Sequence, residues 1–588
     1  MALRSTFAGL STMYRGISTN RLALETTGHN MTNSSVEGYS RQSVNQAATM
    51  ADAIYASGTR QYIGSGVDSL SITRARDVYA DKQYWREYSD QEYAKTRQTN
   101  YQKLEAIFND SDNTGLQNAV LSFYQSWVDM SKEASNTSER IAVLEESGIL
   151  VDRIVSSSKQ LQDQIISEYD DIKINVAQVN NITDQIVQLN KAIMAAESGG
   201  GSANDLRDTR DNLADQLSAF MGVSVSENKE NSMYTIVSNG VSIVNGITKF
   251  DLTVGPVYSD GRQPGIPNVD YGITDYNIEI GDTGVIFDPL TGILRAEVDA
   301  IQEDKEYIDK LADMAAFLLT DFNDQHKVGS GMDASDIEVA TGTKFPTTGI
   351  NFFGEDGVEY IWDDTSKSVK IYGQTVTTTP PADPKTDPWE ITVQTDATEK
   401  SEALKGIRII NALSVNTVLS ATDGERKIAA RTICTTDEDD TTAMISHDDL
   451  RKKYTTTGST QTITVDFPMN GTADGSNAVL LSKLLNQGDE TRVGGKASIG
   501  ASSLQDYYNK AMTDLGVNSS QTNNKVLSQE DIVEQVRQWR TSTSGVNWDE
   551  ELTNMIMFQQ GYSACSRCLT TMDEMLDRLI NSTGMVGR

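Results

Sequence analysis

The chain has 588 residues and a formal net charge of -33, from 50 Lys+Arg against 83 Asp+Glu. This charge repels phosphate backbones and anionic lipid surfaces, and so argues against nucleic-acid binding. The length exceeds one core and suits roughly three to five domains, while no stretch approaches the roughly 20 apolar residues that span a bilayer.

From the N-terminus, Leu3, Phe7, Leu10, Tyr14, Ile17, Leu24 and Met31 keep the alternating spacing of one helix stripe, broken only at Arg21 and Gly28. Leu161, Ile165, Ile172, Val176, Val179, Ile182, Ile186, Leu189 and Ile193 mark a second helix, which Glu197-Ser-Gly-Gly-Gly-Ser-Ala should end as a flexible turn. Asn204 opens another helix through about Met221, with Asp205 and Asp208 in the first turn, where the helix dipole favours acids. Strands begin with Tyr234 to Val244, a two-residue hairpin in which Asn239-Gly240 suits the positive φ of a type I′ turn, and this β insert should run to about Gly292.

Arg295 to Lys327 returns to helical spacing, with Ile301, Ile308, Leu311, Ala315, Leu318 and Phe322 on one face. From about Val328 to Asn470 the chain is rich in Thr, Gly and Asp, with alternating pieces such as Ser368-Val-Lys-Ile-Tyr372, and reads as a β-rich outer domain. Helical spacing resumes at Asn477, with a break expected at the Ser and Asn cluster near Val517. It ends in a second terminal stripe of Phe558, Tyr562, Cys565, Leu569, Met572, Leu576 and Leu579. All 10 prolines lie between Pro256 and Pro468. An interior proline costs a helix about 3 kcal/mol, so both flanks can be helical where the middle is not.

The predicted fold class is therefore multidomain α + β, discontinuous and nested. Long coiled-coil helices at 1–60 and 546–588 form a terminal polymerisation domain. A helical bundle layer comprises 61–222, 293–328 and 471–545, and the β-rich inserts are 223–292 and 329–470. A terminal helix of about 25 residues is roughly 38 Å long, and each buried apolar side chain is worth roughly 1.5–3 kcal/mol. Neither stripe should stay in water, and the simplest arrangement sets the two termini side by side.

Residues that could carry chemistry are sparse. Cys434, Cys565 and Cys568 are too few for a disulfide framework, and Cys565-x-x-Cys568 falls inside a helix, where packing is expected over redox or zinc chemistry. His29, His326 and His447 are the only histidines, with no His-Glu-x-x-His run, and His326 reads as a hydrogen-bonded helix-end residue. Gly199-Gly-Gly201 lacks the Lys-Ser/Thr of a phosphate loop, Gly-x-Ser-x-Gly is absent, and the acid run Thr436 to Asp440 reads as a solvated loop over a calcium site. No catalytic residue, metal or cofactor is expected.

Other segments resemble a known family. His29-Asn-Met-Thr-Asn33-Ser-Ser-Val-Glu-Gly38-Tyr39-Ser-Arg41-Gln is similar to the N-terminal signature of bacterial flagellar axial proteins. Ser544-Gly545-Val546-Asn547-Trp548-Asp-Glu-Glu551, leading into Phe558 and Tyr562, resembles the family's other end, with Trp548 where Leu is usual. Asn204 to Leu213, Asp321 to Gly329, and Gly475-Ser-Asn477-Ala478 with Gln505-Asp-Tyr507 and Leu515-Gly516 resemble its hook-associated branch, found between hook and filament.

The resemblance implies a non-enzymatic structural subunit, exported without a cleaved signal peptide and located outside the cell in the flagellum. Its implied partners are copies of itself in a ring or helical layer, the hook protein, a second junction protein on the filament side, a chaperone at the C-terminal region and the flagellar export apparatus. It also implies terminal helices that are disordered in the monomer and fold on assembly. Leu3, Phe7, Leu10, Tyr14, Ile17, Leu24, Asn33, Gly38, Tyr39, Arg41, Gly545, Val546, Asn547, Phe558, Tyr562, Leu569, Met572, Leu576 and Leu579 would then form the assembly interface. A hook or flagellin-like axial subunit is an alternative. So is a secreted adhesin or enzyme with helical stalks, which predicts ordered ends in the free monomer.

Overall fold

The computed structural model describes residues 7–582 apart from 57–58, 109–114, 229–231, 258–267, 339–343, 380–388, 434–446, 466–472 and 489–497. The acid run at 436–440 and Cys434 lie outside the described residues, as does Leu3.

Helix α1 (Ala8–Asn33) leads into antiparallel ribbons in which β1 (Gln42–Ala48) pairs with β4 (Val67–Arg74), and β2 (Asp52–Ala56) pairs with β3 (Thr59–Ile63). The described residues of this stretch form four strands, where helical layers had been expected to meet at residue 60. The alternation of Ser69-Leu70-Ser71-Ile72-Thr73 is a strand period, and Gly64 and Gly66 supply the bend.

The bundle follows with α2 (Val78–Ile107), α3 (Leu116–Lys132), α4 (Thr137–Glu197) and α5 (Asn204–Phe220). Asp77 caps α2 by accepting the Tyr79 N–H at 2.9 Å, and Asn136 caps α4 by accepting the Ser138 N–H at 3.0 Å. With 61 residues, α4 is roughly 90 Å long. The Leu161-to-Ile193 stripe along it is buried against its neighbours, with Leu189 partly so.

The first insert contains β5 (Ser224–Glu227), β6 (Tyr234–Ser238), β7 (Val241–Asn245) and β8 (Thr248–Lys249) in one sheet, and β9 (Leu252–Pro256) paired with β10 (Tyr276–Ile280). Asn239 and Gly240 have φ of 45° and 76°, the doubly positive turn that the Asn-Gly pair demands. The chain returns to the bundle as α6 (Ile293–Phe317), a π turn over Leu318–Phe322, and α7 (Asn323–Lys327). Every residue of the Ile301-to-Phe322 stripe is buried.

The outer region holds β11 (Gly329–Glu338), β12 (Lys344–Thr348), β13 (Val358–Asp363), β14 (Ser368–Thr379), β15 (Trp389–Glu399), α8 (Ile407–Ala412), α9 (Thr417–Ser420), β16 (Arg431–Thr432), α10 (His447–Thr455) and β17 (Ser459–Val465). Its main sheet runs β13-β14-β15-β17, over a small core that includes Trp389, Ile391, Tyr454 and Ile463. Helices α11 (Ser476–Asn486), α12 (Leu504–Ser544) and α13 (Trp548–Ser582) complete the chain. Contrary to expectation, α12 continues through Val517. Ser and Asn lower helix propensity by less than 1 kcal/mol each, and packing on α2 along the buried Leu515, Ser519 and Val526 outweighs that.

One core spans the bundle, the first insert and the near side of the outer region. Its densest point joins α3 to the α6–α7 junction: Trp127 lies 5.5 Å from Phe322 between ring centroids, and Phe322 lies 5.7 Å from Phe352. His326 is indeed a buried helix-end residue, whose Nδ1–H donates to the Ile350 carbonyl at 2.8 Å while Nε2 accepts the Ala429 N–H at 3.0 Å. Burial lowers its pKa to about 4, so it stays neutral. Gln325 donates to the Asn477 amide oxygen at 2.7 Å, and Asn477 in turn donates to the Ala429 carbonyl at 2.7 Å. The Asp321-to-Gly329 and Gly475-to-Ala478 motifs are therefore two halves of one joint. Phe322→Ala should open a cavity there and cost about 3–5 kcal/mol, read as a lower midpoint in thermal unfolding followed by near-UV circular dichroism.

Candidate assembly interface

Helices α1 and α13 lie antiparallel, and small residues set their spacing. A Cβ on Gly9 would come within 2.9 Å of the Met572 sulfur, one on Gly16 within 3.0 Å of Cys565 Sγ, and one on Gly561 within 2.7 Å of Asn20 Oδ1. Each step up α1 is matched by an equal step down α13, so the pair keeps one register from Gly9–Met572 to Asn30–Glu551. Cys565 thus packs in the helix seam, and Cys568 is exposed.

The face of α1 that is buried differs from the predicted stripe. Gly16, Thr19, Ala23, Thr26, Thr27 and Asn30 are buried, whereas Leu10, Ile17, Leu24 and Met31 are half-buried and Phe7 and Tyr14 are 58% and 66% exposed. The reason is a second neighbour. The β1–β4 ribbon takes the Thr face, with Arg15 on Asp68 at 2.8 Å and the Thr19 hydroxyl donating to the Val67 carbonyl at 3.4 Å. On α13, Phe558, Leu569, Met572 and Leu576 are half-buried and Tyr562 is 37% exposed. Leu579 belongs to α13, but its side chain lies outside the described residues. No described side chain from 552 to 581 is fully buried. The termini lie side by side within a single chain, and they leave an outward apolar surface of Phe7, Tyr14, Leu552, Ile556, Met557, Met575 and Ile580.

A polar clamp fixes the base of the pair. Asn30 Nδ2 donates to the Gln42 carbonyl at 2.8 Å and to Glu551 at 3.2 Å, and its Oδ1 accepts the Tyr39 hydroxyl at 2.8 Å and the Gln42 N–H at 2.9 Å. Arg41 Nε donates to Glu551 at 2.6 Å and its Nη2 to Glu550 at 3.1 Å, while the Arg41 N–H reaches the Ser544 carbonyl at 2.9 Å. Burial works against the Arg41 charge, but the two glutamates outweigh it and its pKa rises. Burial also raises the Tyr39 hydroxyl, with Asp205, Asp208 and Glu551 adding to the effect, so Tyr39 remains a donor.

The clamp sits on the bundle through a buried ionic socket. Ser40 N–H donates to Asp208 at 2.9 Å, Arg74 bridges Asp208 and Asp211 at 2.7 and 2.6 Å, and Arg76 takes Asp81 at 2.8 Å. Arg540 of α12 closes the ring on Asp81 at 3.0 Å and Asp215 at 2.9 Å. Burial pushes the Asp208, Asp211 and Asp215 carboxyls of α5 up. At Asp211 the Arg76 and Arg74 charges win and hold it below the usual range, whereas at Asp208 and Asp215 burial wins.

The other predicted site residues have local roles. Asn33 Nδ2 returns to the His29 carbonyl at 3.0 Å as α1 ends, and Gly38, at φ 81°, lets the chain turn against Asn212. Gly545 ends α12, Val546 is half-buried in the connection, and Asn547 caps α13 through the Asp549 and Glu550 N–H groups at 3.0 and 3.3 Å. Trp548 keeps a polar handle, with Nε1–H on Ser34 Oγ at 2.9 Å. Sequence reasoning missed Asn30, Arg74, Arg76, Asp211, Arg540 and Glu551 as site residues. Arg74-x-Arg76, together with the run of Asp205, Asp208, Asp211 and Asp215 in α5, was the available signal. Among the described residues no helix is long and apolar enough to cross a membrane, and no cluster of His, Cys, Asp or Glu could hold a metal ion.

Residues 101–345 match the flagellar hook-associated protein FlgK helical domain, and 537–582 match the flagellar basal body rod FlgEFG protein C-terminal family. The chain is 26% identical to flagellar hook-associated protein 1 of Bacillus subtilis over 100% of both chains. It is 27% identical to that of Escherichia coli over 96% of this chain and 98% of the relative. The flagellar hook junction protein FlgK from Burkholderia pseudomallei shares the fold, with a TM-score of 0.52 and 16% identity over 79% of this chain and 100% of that one. Over its whole length this chain is similar to flagellar hook-associated proteins 1, its helical layer matches the FlgK helical domain, and it shares the fold of the flagellar hook junction protein.

Proposed function

We propose that the α1–α13 pair is the part of this chain that builds the axial tube, and that it does so by burying its outward apolar face against other copies. The protein is a structural subunit of the bacterial flagellum at the junction between hook and filament. The observation that carries the assembly reading is the contrast within one molecule. The Leu161-to-Ile193 stripe of the bundle is buried except at Leu189, whereas the terminal stripes of α1 and α13 have no fully buried described apolar position and leave Phe7, Tyr14 and Tyr562 at 37–66% exposure. Surfaces of this kind mark interaction sites. Its partners on this reading are neighbouring copies, the hook protein below, a second junction protein above, and, before assembly, a chaperone on the C-terminal helix and the export apparatus. Its place is outside the cell, in the flagellum.

The role needs two dissimilar end surfaces and no turnover. The stalked adhesin alternative gains from the pairing of α1 with α13, and hydrogen exchange on the free subunit decides between the two. Amides of α1 and α13 should exchange far faster than those of α2 to α5, and gain protection only in assembled flagella. Terminal helices as protected as α4 in the free subunit would overturn the assembly reading.

Two substitutions test the interface itself. Leu569→Asp or Leu576→Asp should abolish incorporation into flagella, scored by motility and by the variant's presence in sheared filaments, while circular dichroism of the free subunit keeps the β signal. Arg41→Ala strands the Glu551 carboxylate, a change that costs about 3–5 kcal/mol when the partner left behind is buried. It should raise exchange at 544–560 in the assembled state, with Glu551→Gln showing the milder effect.

A further inference from the structure

Midway along the bundle, two helices turn three carboxyl groups inward against one another. Glu168 of α4, Glu297 of α6 and Asp304 of α6 are 3%, 6% and 0% exposed. Each has one oxygen, Glu168 Oε2, Glu297 Oε2 and Asp304 Oδ1, with no hydrogen-bond partner. Glu168 and Glu297 line a cavity of about 200 Å³ with Thr96, Asn100, Lys103 and Asp171, large enough to admit water.

The compensating groups are few, and all belong to the three helices that meet there. From α2, Lys103 lies 3.8 Å from Glu168, while Arg97 is taken by Glu303. From α4, Gln164 donates to Asp304 and to Asn100, both at 2.7 Å, and Asn175 donates to Glu297 at 2.6 Å, while Asp171 adds a like charge. From α6, Glu303 adds another like charge beside Asp304. Three carboxylates, two further acids nearby and one half-exposed lysine cannot all be ionised in a site this buried.

We infer that this cluster is a proton store that locks α2, α4 and α6 together while its carboxyls are undissociated, and loosens the middle of the bundle when alkaline conditions remove the protons. A neutral acid can hydrogen-bond across the cavity or to water, whereas an added charge there repels its neighbours. The electrostatics agree in direction. Burial raises Glu168 against the pull of Lys103 and Arg97, and raises Asp304 with the help of the Glu168 charge. Burial and Asp171 together raise Glu297 to about 8. Acids raised above their unfolded values stabilise the fold fully below pH 4. That contribution is lost as pH climbs through the folded pKa, here between neutrality and about pH 9.

The test compares the full-length protein with a variant carrying Glu168→Gln, Glu297→Gln and Asp304→Asn. Between pH 6 and pH 9.5 the bundle transition of the wild type should fall by at least about 4 °C more than that of the variant. Parallel slopes overturn the inference. If the variant does not fold, hydrogen exchange on the wild type decides. Corrected for intrinsic exchange, residues 96–104, 164–175 and 296–304 should lose at least about tenfold protection over this range relative to 120–130 at the aromatic core. Equal loss in the two regions overturns it.

Discussion

The terminal layer depends on one contact, the guanidinium of Arg41 on the carboxylate of Glu551, between residues 510 apart in sequence. Closing so long a loop costs about 5–6 kcal/mol by chain entropy alone, more than one ion pair supplies. The bundle meets most of that cost. Helices α2 and α12 already lie together, and Arg540 on Asp81 and Asp215 brings the Ser544 carbonyl to within 2.9 Å of the Arg41 N–H. What the pair adds is register. With the Glu551 side chain only 2% exposed, any slip of α13 along α1 strands a buried charge, so the clamp selects one alignment out of many similar ones. The glycine seam above inherits that alignment.

The same economy explains the nesting. Each inserted domain leaves the helical layer and re-enters it at nearly the same point. A Cβ on Gly292 would lie 2.6 Å from the backbone of Phe220, so the first insert begins and ends at one place. Gly329 and Asn477 do the same for the outer region, where a Cβ on the glycine would meet the Asn477 amide. Closed excursions of this sort leave the bundle's packing undisturbed, and the helices on either side of an insertion can be read as one continuous layer.

Much of this was legible where one period dominated. The Leu161-to-Ile193 and Ile301-to-Phe322 stripes are buried as spacing predicted, and Asn239-Gly240 makes its turn, because burial on one face is what produces each pattern. The family signatures located the terminal site, yet the residues doing the electrostatic work there, Asn30, Glu551 and Arg74, are polar and carry no periodic signal. The N-terminal stripe misled for a related reason. Helix α1 has two neighbours, a helix and a strand ribbon, and its buried face is the small and hydroxyl-bearing one, Gly16, Thr19, Ala23 and Thr26. The apolar positions were real, but Leu10, Ile17, Leu24 and Met31 are only half-buried and Phe7 and Tyr14 are exposed. Strand β4 was missed because alternation over so few residues is short beside the helices around it, and the α12 break was overcalled because local propensity yields to a long packed face.

That small-residue face has an energetic consequence. Close approach of two backbones gains dispersion contacts, but glycine and threonine bury little apolar area, at about 25 cal/mol per Å², while ordering costs roughly 1–2 kcal/mol per residue of backbone. A 35-residue α13 with no fully buried described side chain beyond Glu551 sits on the wrong side of that balance unless more surface is covered. The exposed Ile556, Met557, Met575 and Ile580 are where that surface is available. The seam supplies geometry and the outward face supplies free energy. The terminal pair is then aligned within one subunit and stabilised chiefly by the next.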